Sequence, residues 1–173
     1  AGTQKSHIQG GFQHTENALD IAIQGNGFFQ VTRPDGSIAY TRNGQFQVNE
    51  NGEIVTNDGY LLEPSIVVPA NMVSLTIGTD GTVSALEPGN TNTSNLGTIT
   101  TAQFINPAGL MPIGENQFLE TQASGAPITG IPGLDARGSL LQGSLETSNV
   151  NTVEELVNLI ETQRAFEMNS KSI

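Results

Sequence analysis

The 173-residue sequence has no cysteine and no tryptophan, and only six of its residues are lysine or arginine. Without cysteine there is no disulfide, no thiolate metal site and no cysteine nucleophile. Six basic residues against seventeen carboxylates leave a formal net charge of −11. That balance excludes nucleic acid as a partner, because phosphate binding needs clustered lysine and arginine, and it disfavours an anionic membrane surface. No apolar run reaches the roughly 20 residues of a spanning helix, and no charged-then-apolar leader opens the chain. The start at Ala1 rather than Met suggests a piece of a longer protein.

Glycine, by contrast, is abundant, with 20 residues, and it sits among many Asn, Thr, Gln and Ser residues. From Asp20 to about Thr121, short apolar or β-branched runs alternate with turn signals. Phe28 to Thr32 leads to Pro34-Asp35-Gly36, Ile38 to Thr41 to Asn43-Gly44, and Phe46 to Val48 to Asn51-Gly52. Glu53 to Thr56 follows, then Asp58-Gly59 and Tyr60 to Leu62. Asn-Gly and Asp-Gly tolerate the positive φ of two-residue hairpins, so the text reads as a β-meander. Ile66 to Val68, between Pro64 and Pro69, is expected as a short or edge strand. Ser74 to Ile77 and Thr82 to Ala85 form one more hairpin around Asp80-Gly81. Glu87 to Asn95 reads as a solvated loop, and Thr98 to Phe104 as a strand. Asn116 to Thr121 is expected to pair nearby, and Ser139 to Leu145 is the last strand. Ser124 to Gly138 holds too many breakers for regular structure.

After Ser148 the period changes. Val153, Leu156, Val157 and Ile160 recur at helical spacing, and Leu159 and Phe166 stand seven apart, with Gln163 between them. Asn151 or Thr152 caps this amphipathic helix, and Glu154 and Glu155 occupy its first turn. The pattern is still running at Ile173. Its apolar stripe covers two faces, which calls for two partners; alone, such a helix is marginal and frays. Val153, Leu156, Val157, Leu159, Ile160, Gln163 and Phe166 are therefore the candidate assembly interface. The chain divides into an N-terminal connector (1–17), a mainly-β domain of twisted hairpins (18–148), and the start of a C-terminal assembly helix (149–173).

Candidate chemistry is thin. Gly25-Asn26-Gly27 lacks the third glycine of a dinucleotide loop, since Gln30 stands there and a strand follows, so a turn or bulge is expected. The run Asn49 to Gly52 resembles a calcium loop only faintly and reads better as a hairpin. His7 and His14 have no third nitrogen or sulfur ligand nearby, and no G-x-S-x-G elbow holds a serine. Glu154, Glu155 and Glu161 lie on the wet side of the helix, and Asn92-Thr93-Ser94 fits a glycosylation acceptor by letter alone. No catalytic residue, cofactor or metal is expected.

Longer strings carry more. Leu19 to Val31, containing Gly25, Gly27, Phe28 and Phe29, and then Ala39 to Phe46, containing Tyr40, Arg42, Gly44 and Phe46, closely resemble the opening of the globular region in flagellar rod and hook proteins. Leu145 to Asn151, with Glu146, Ser148, Asn149 and Val150, and then Gln163 to Lys171, are similar to that family's C-terminal signature. Ile113 to Asn116, Glu120 to Gln122 and Ser124 to Pro127 look most like the distal rod branch. The resemblance covers nearly everything from about Ala18 onward and implies a structural part, not an enzyme. Such a part is exported through the flagellum's own secretion channel and polymerises head-to-tail into a torque-transmitting tube of the basal body. The implied partners are other copies of itself, other rod proteins, the hook protein and surrounding ring proteins, with no nucleic acid and no membrane insertion. A hook or proximal rod protein of the same family stays open as an alternative, as does a secreted ligand-binding or adhesin β module.

Overall fold

The structure, a computed structural model, describes residues 10–147 and is built mainly of short strands. The expected turns at Gly36, Gly52, Gly59 and Gly81 all form, with φ between 83 and 90° at these glycines, while the Asp or Asn before each stays at negative φ. In each, the glycine N–H donates to the carbonyl three residues back, at Arg33, Asn49, Thr56 or Gly78. That residue's own N–H then donates to the carbonyl four residues ahead. This is a type I turn closed by a glycine bulge rather than the expected two-residue hairpin, because one left-handed residue per turn suffices for it. Side chains add to the turns: Asp35 accepts the Ser37 hydroxyl at 2.6 Å and its N–H at 2.9 Å, and Asp80 accepts the Thr82 N–H at 3.0 Å. The Ser37 hydroxyl and N–H in one case, and the Thr82 backbone bond in the other, hold these carboxyls below their ordinary pKa.

The strands are β1 (Phe12–His14), β2 (Ile21–Gln24), β3 (Phe29–Thr32), β4 (Ile38–Thr41), β5 (Phe46–Val48), β6 (Ile54–Thr56), β7 (Leu61–Glu63) and β8 (Ser74–Ile77). They continue as β9 (Thr82–Leu86), β10 (Ser94–Thr98), β11 (Thr101–Gln103), β12 (Met111–Pro112), β13 (Gln117–Leu119), β14 (Ile128–Gly130), β15 (Ser139–Gln142) and β16 (Ser144–Glu146). Seven form one open sheet in the order β12-β13-β4-β3-β7-β6-β5. A three-stranded sheet, β10-β9-β8, and the two-stranded ribbons β1-β16, β2-β15 and β11-β14 complete the described strands.

A meander would pair β4 with β5, and the structure does not: β13 takes the free edge of β4, and β5 lies at the far margin beyond β7 and β6. Asn43-Gly44 is therefore no hairpin turn. Gly44 is needed for close approach, since a Cβ there would collide with the Ile21 carbonyl, while the Ile21 N–H donates to the Gly44 carbonyl at 3.0 Å.

Four other expectations are corrected. The predicted loop before Asn95 ends in β10, which pairs with β9 across a bulge between Asn95 and Gly97. Thr98 to Phe104 is broken at Ile99, whose N–H turns to the Gly81 carbonyl at 2.8 Å. The glycine- and proline-rich stretch from Ser124 to Gly138 contains β14, because β11 supplies its hydrogen bonds. Gly143, at φ 74°, divides the last strand into β15 and β16. For β14 and Ile99 a partner from elsewhere in the chain overrides local propensity. Around Val67 only an isolated bridge to Glu53 forms.

Two apolar clusters lie on the two faces of the large sheet's centre. Successive side chains of a strand point to opposite faces, and the neighbours Phe28 and Phe29 divide between them. Phe29 enters the larger cluster with Ile21, Ile23, Phe46, Ile54, Leu62 and Leu140, edge-on to Phe46 at 5.1 Å. Phe28 enters the smaller one with Tyr40, Ala102, Phe104 and Leu110. There Tyr40 and Phe104 meet edge-to-face at 4.8 Å, a contact worth about 1 kcal/mol beyond area burial.

The expected C-terminal helix, with Val153, Leu156, Val157, Leu159, Ile160, Gln163 and Phe166, lies outside the described residues, as do Ser148, Asn149, Val150 and His7.

Candidate functional site

The chain enters and leaves the β domain on one ribbon. β1 and β16 run antiparallel, pairing Phe12 with Glu146, Gln13 with Leu145 and His14 with Ser144. All three β1 residues are exposed, and a two-stranded ribbon is at best marginal in water. What secures it is a network of fixed polar groups.

Glu146 accepts the Gly10 N–H at 2.8 Å and Arg42 Nε at 2.9 Å. Arg42 Nη1 donates to the carbonyls of Gly25 and Gly27, both at 2.7 Å, and Nη2 donates to Ile23 at 3.1 Å. One guanidinium thus joins the outgoing strand, the Gly25-Asn26-Gly27 turn and β2. Its side chain is 18% exposed and that of Glu146 is 8% exposed, so the pair is largely sheltered from screening. Charge-assisted bonds of this kind are the stronger class. Backbone bonds from Thr147 to Gly11 at 2.8 Å and from Thr15 to Gly143 at 2.7 Å extend the ribbon at both ends.

Glycine makes the turn possible. Gly25 and Gly27 adopt φ of 126 and 128°, and a Cβ on Gly25 would lie 2.7 Å from the Gly138 Cα. The Gly138 N–H donates to the Asn26 carbonyl at 2.8 Å, so the turn is pinned from both sides.

The signature residues thus have identifiable jobs: Gly25 and Gly27 shape the turn, Phe28, Phe29, Tyr40 and Phe46 fill the two clusters, Gly44 allows close approach, and Arg42 and Glu146 lock the neck. Burial raises the Tyr40 hydroxyl's pKa, and the charge of Glu120 adds to this. Sequence reasoning singled out Arg42 and Glu146 without pairing them, since 104 positions separate them; the scarcity of basic residues was the available signal.

Gln142 was missed. Its carboxamide accepts the Ile77 N–H at 3.0 Å and donates to Leu75 at 2.9 Å and Ala18 at 3.0 Å. It thereby substitutes for a neighbouring strand along the edge of β8. Arg137 was missed too: its side chain, 3% exposed, lies over Gly130 and donates to Ile128 at 3.0 Å.

Beside Arg42 a cleft of about 280 Å³ is lined by Asn26, Gly27, Phe28, Gln103, Phe104, Pro107 and Ala136. It gathers no nucleophile and no paired carboxylates. Among the described residues no group of three or more His, Asp or Glu is placed to hold a metal, and no helix is long and apolar enough to cross a membrane.

Two family models match the chain: the flagellar hook protein FlgE/F/G D1 domain over residues 22–85, and the flagellar basal body rod FlgEFG protein C-terminal region over residues 141–173. The chain is 52% identical over 171 residues to the flagellar basal-body rod protein FlgG of Buchnera aphidicola from Schizaphis graminum, covering 99% of this chain. It is 46% identical over its whole length to the protein of that name in Borreliella burgdorferi. It is also 32% identical, over 95% of its length, to the flagellar basal-body rod protein FlgF of Escherichia coli. It spans 66% of the length of each of these relatives. The first model begins inside β2 and takes in Arg42, and the second takes in Glu146, so the lock of the neck joins the two matched regions. The chain belongs to the flagellar hook and basal-body rod protein family.

Proposed function

We propose that the chain is a structural subunit of the flagellar distal rod, polymerising head-to-tail into a tube of the basal body that carries torque from motor to hook. The observation that carries this reading is the neck. The incoming and outgoing segments lie side by side and are locked by Arg42 and Glu146, so a load on either segment reaches the β domain through one rigid ribbon. A heterologous contact that does not close on itself propagates as a filament. In this reading the domain spans 18–148, and residues 149–173 form a helix that buries Val153, Leu156, Val157, Leu159, Ile160 and Phe166 against neighbouring helices. Other rod proteins, the hook protein and a surrounding ring are the partners, in the periplasmic space after export through the flagellar channel. The role is packing, without catalysis. The match to the FlgF protein keeps another rod protein of the same family as the second reading.

Negative-stain imaging of the full-length protein at high concentration tests this. Straight tubes that vanish when residues 152–173 are deleted are expected; a full-length chain that stays monomeric throughout would sink it.

A further inference from the structure

Among the described residues, thirteen carboxylates stand against three arginines, and all three arginines are engaged. Arg42 is bound by Glu146, and Arg137 is buried. Arg33 sits 3.7 Å from Glu115 and donates to Gln117 at 2.7 Å, with Tyr60 beneath it at 5.1 Å. No arginine is left over on this surface to receive another molecule's acids, and no lysine lies among the described residues.

One flank escapes the charge. Residues 88–114 and 121–134 contain no Asp, Glu, Lys or Arg, and the fold lays part of each against the other, 101–106 beside 123–130. β11 pairs with β14, Gln103 opposite Ile128. Beyond the ribbon Asn106 continues the contact, its N–H donating to Ser124 at 3.2 Å and its side chain to Ala123 at 2.9 Å. Gln103 Nε2 donates to the Asp135 carbonyl at 3.2 Å and Arg137 to Ile128, which draws in the following loop, where the Asp135 carboxylate, 87% exposed, borders the flank. Large apolar side chains stand out on these segments: Ile105 is 86% exposed, Leu134 56% and Ile128 49%, with Ile131 beside them. Apolar side chains gathered in this way mark an interaction surface.

We propose that this charge-poor flank is the lateral contact between the β domains of neighbouring copies of this chain, an inference that rests on the polymer reading above. The charge distribution selects the occupant. A basic partner would be drawn to the acidic remainder of the surface, whereas a partner of the same sign can approach only where desolvating like charges is avoided. A second copy is such a partner.

The full-length chain tests it. Replacing two exposed isoleucines, Ile105→Glu and Ile128→Glu, places two uncompensated carboxylates in the contact, against an acidic neighbour, and should raise the critical concentration for polymerisation by about tenfold or more. The far-UV spectrum and melting temperature of the monomer should stay unchanged. These 173 residues hold no native cysteine, so in a full-length protein kept free of cysteine elsewhere, Ile105→Cys carrying a benzophenone maleimide reports the neighbour directly, and copy-to-copy products should appear in the polymer and not in the monomer. Unchanged polymerisation of the double variant, or cross-links in isolated basal bodies running only to a different protein, would overturn the flank assignment while leaving the rod reading intact. A wild-type chain that never self-associates would remove both.

Discussion

The ribbons β1-β16 and β11-β14 each rest on three residue pairs, yet they are secured by opposite physics. In β1 every residue is exposed, and the ribbon is held by an ionised side chain on β16 that reaches Arg42 and Gly10. In β11, Thr101 and Ala102 are fully buried. Ala102 exchanges two backbone bonds of 2.9 Å with Phe28, and the ribbon is carried by the aromatic cluster. One ribbon is attached by a few directional bonds where the chain joins the domain, the other by burial. The neck can therefore be loosened without unfolding the body, whereas the flank cannot be separated from the second cluster.

The largest expected effect lies on the buried side. Phe104→Ala removes a ring that touches both Phe28 and Tyr40 and should cost about 4 kcal/mol in chemical denaturation. Amide protection should fall first in β11 and β14; uniform loss across both ribbons would erase the contrast. Arg42→Ala is the counterpart at the neck. It strands Glu146 and three carbonyls, for a loss of about 3 kcal/mol, and protection should fall at residues 10–15 and 144–147 while the Ala102 amide holds. A smaller change, about 1–2 kcal/mol, is expected for Gln142→Ala, which bares the Ile77 N–H and the Leu75 carbonyl on the β8 edge. Thermal unfolding gives its size, and exchange should place it in β8, away from either ribbon.

The smallest effect concerns acid. Asp80 is held below the ordinary carboxylate pKa by its bond from Thr82, so its contribution is present above about pH 4 and fades as pH falls through the lowered value. Asp80→Asn keeps an acceptor without a charge and should flatten the stability profile below about pH 4, leaving both ribbons untouched.

Much of the fold was legible before any coordinates. Ile38–Thr41, Phe46–Val48 and Ser74–Ile77 form as strands where alternation and turn residues place them, because those signals act over a few residues. What failed needed distant partners: β14 exists through β11, and the edge of β4 is taken by β13. The same separation by distance hid the site, since Arg42 and Glu146 were each singled out by family likeness while nothing local pairs them. The helical stripe from Val153 to Phe166 remains an expectation drawn from its spacing.

By itself the sequence determined a hairpin-rich β domain, a strongly acidic charge balance, the absence of thiol chemistry, and the strings that mark the family, since each of these follows from composition or from short-range order. Only the tertiary structure decided that β13 takes the edge of β4, that Phe28 and Phe29 serve different clusters, and that Arg42 closes on Glu146. Those outcomes depend on which distant surfaces bury each other and which buried polar groups must then find partners, and a linear text does not carry that.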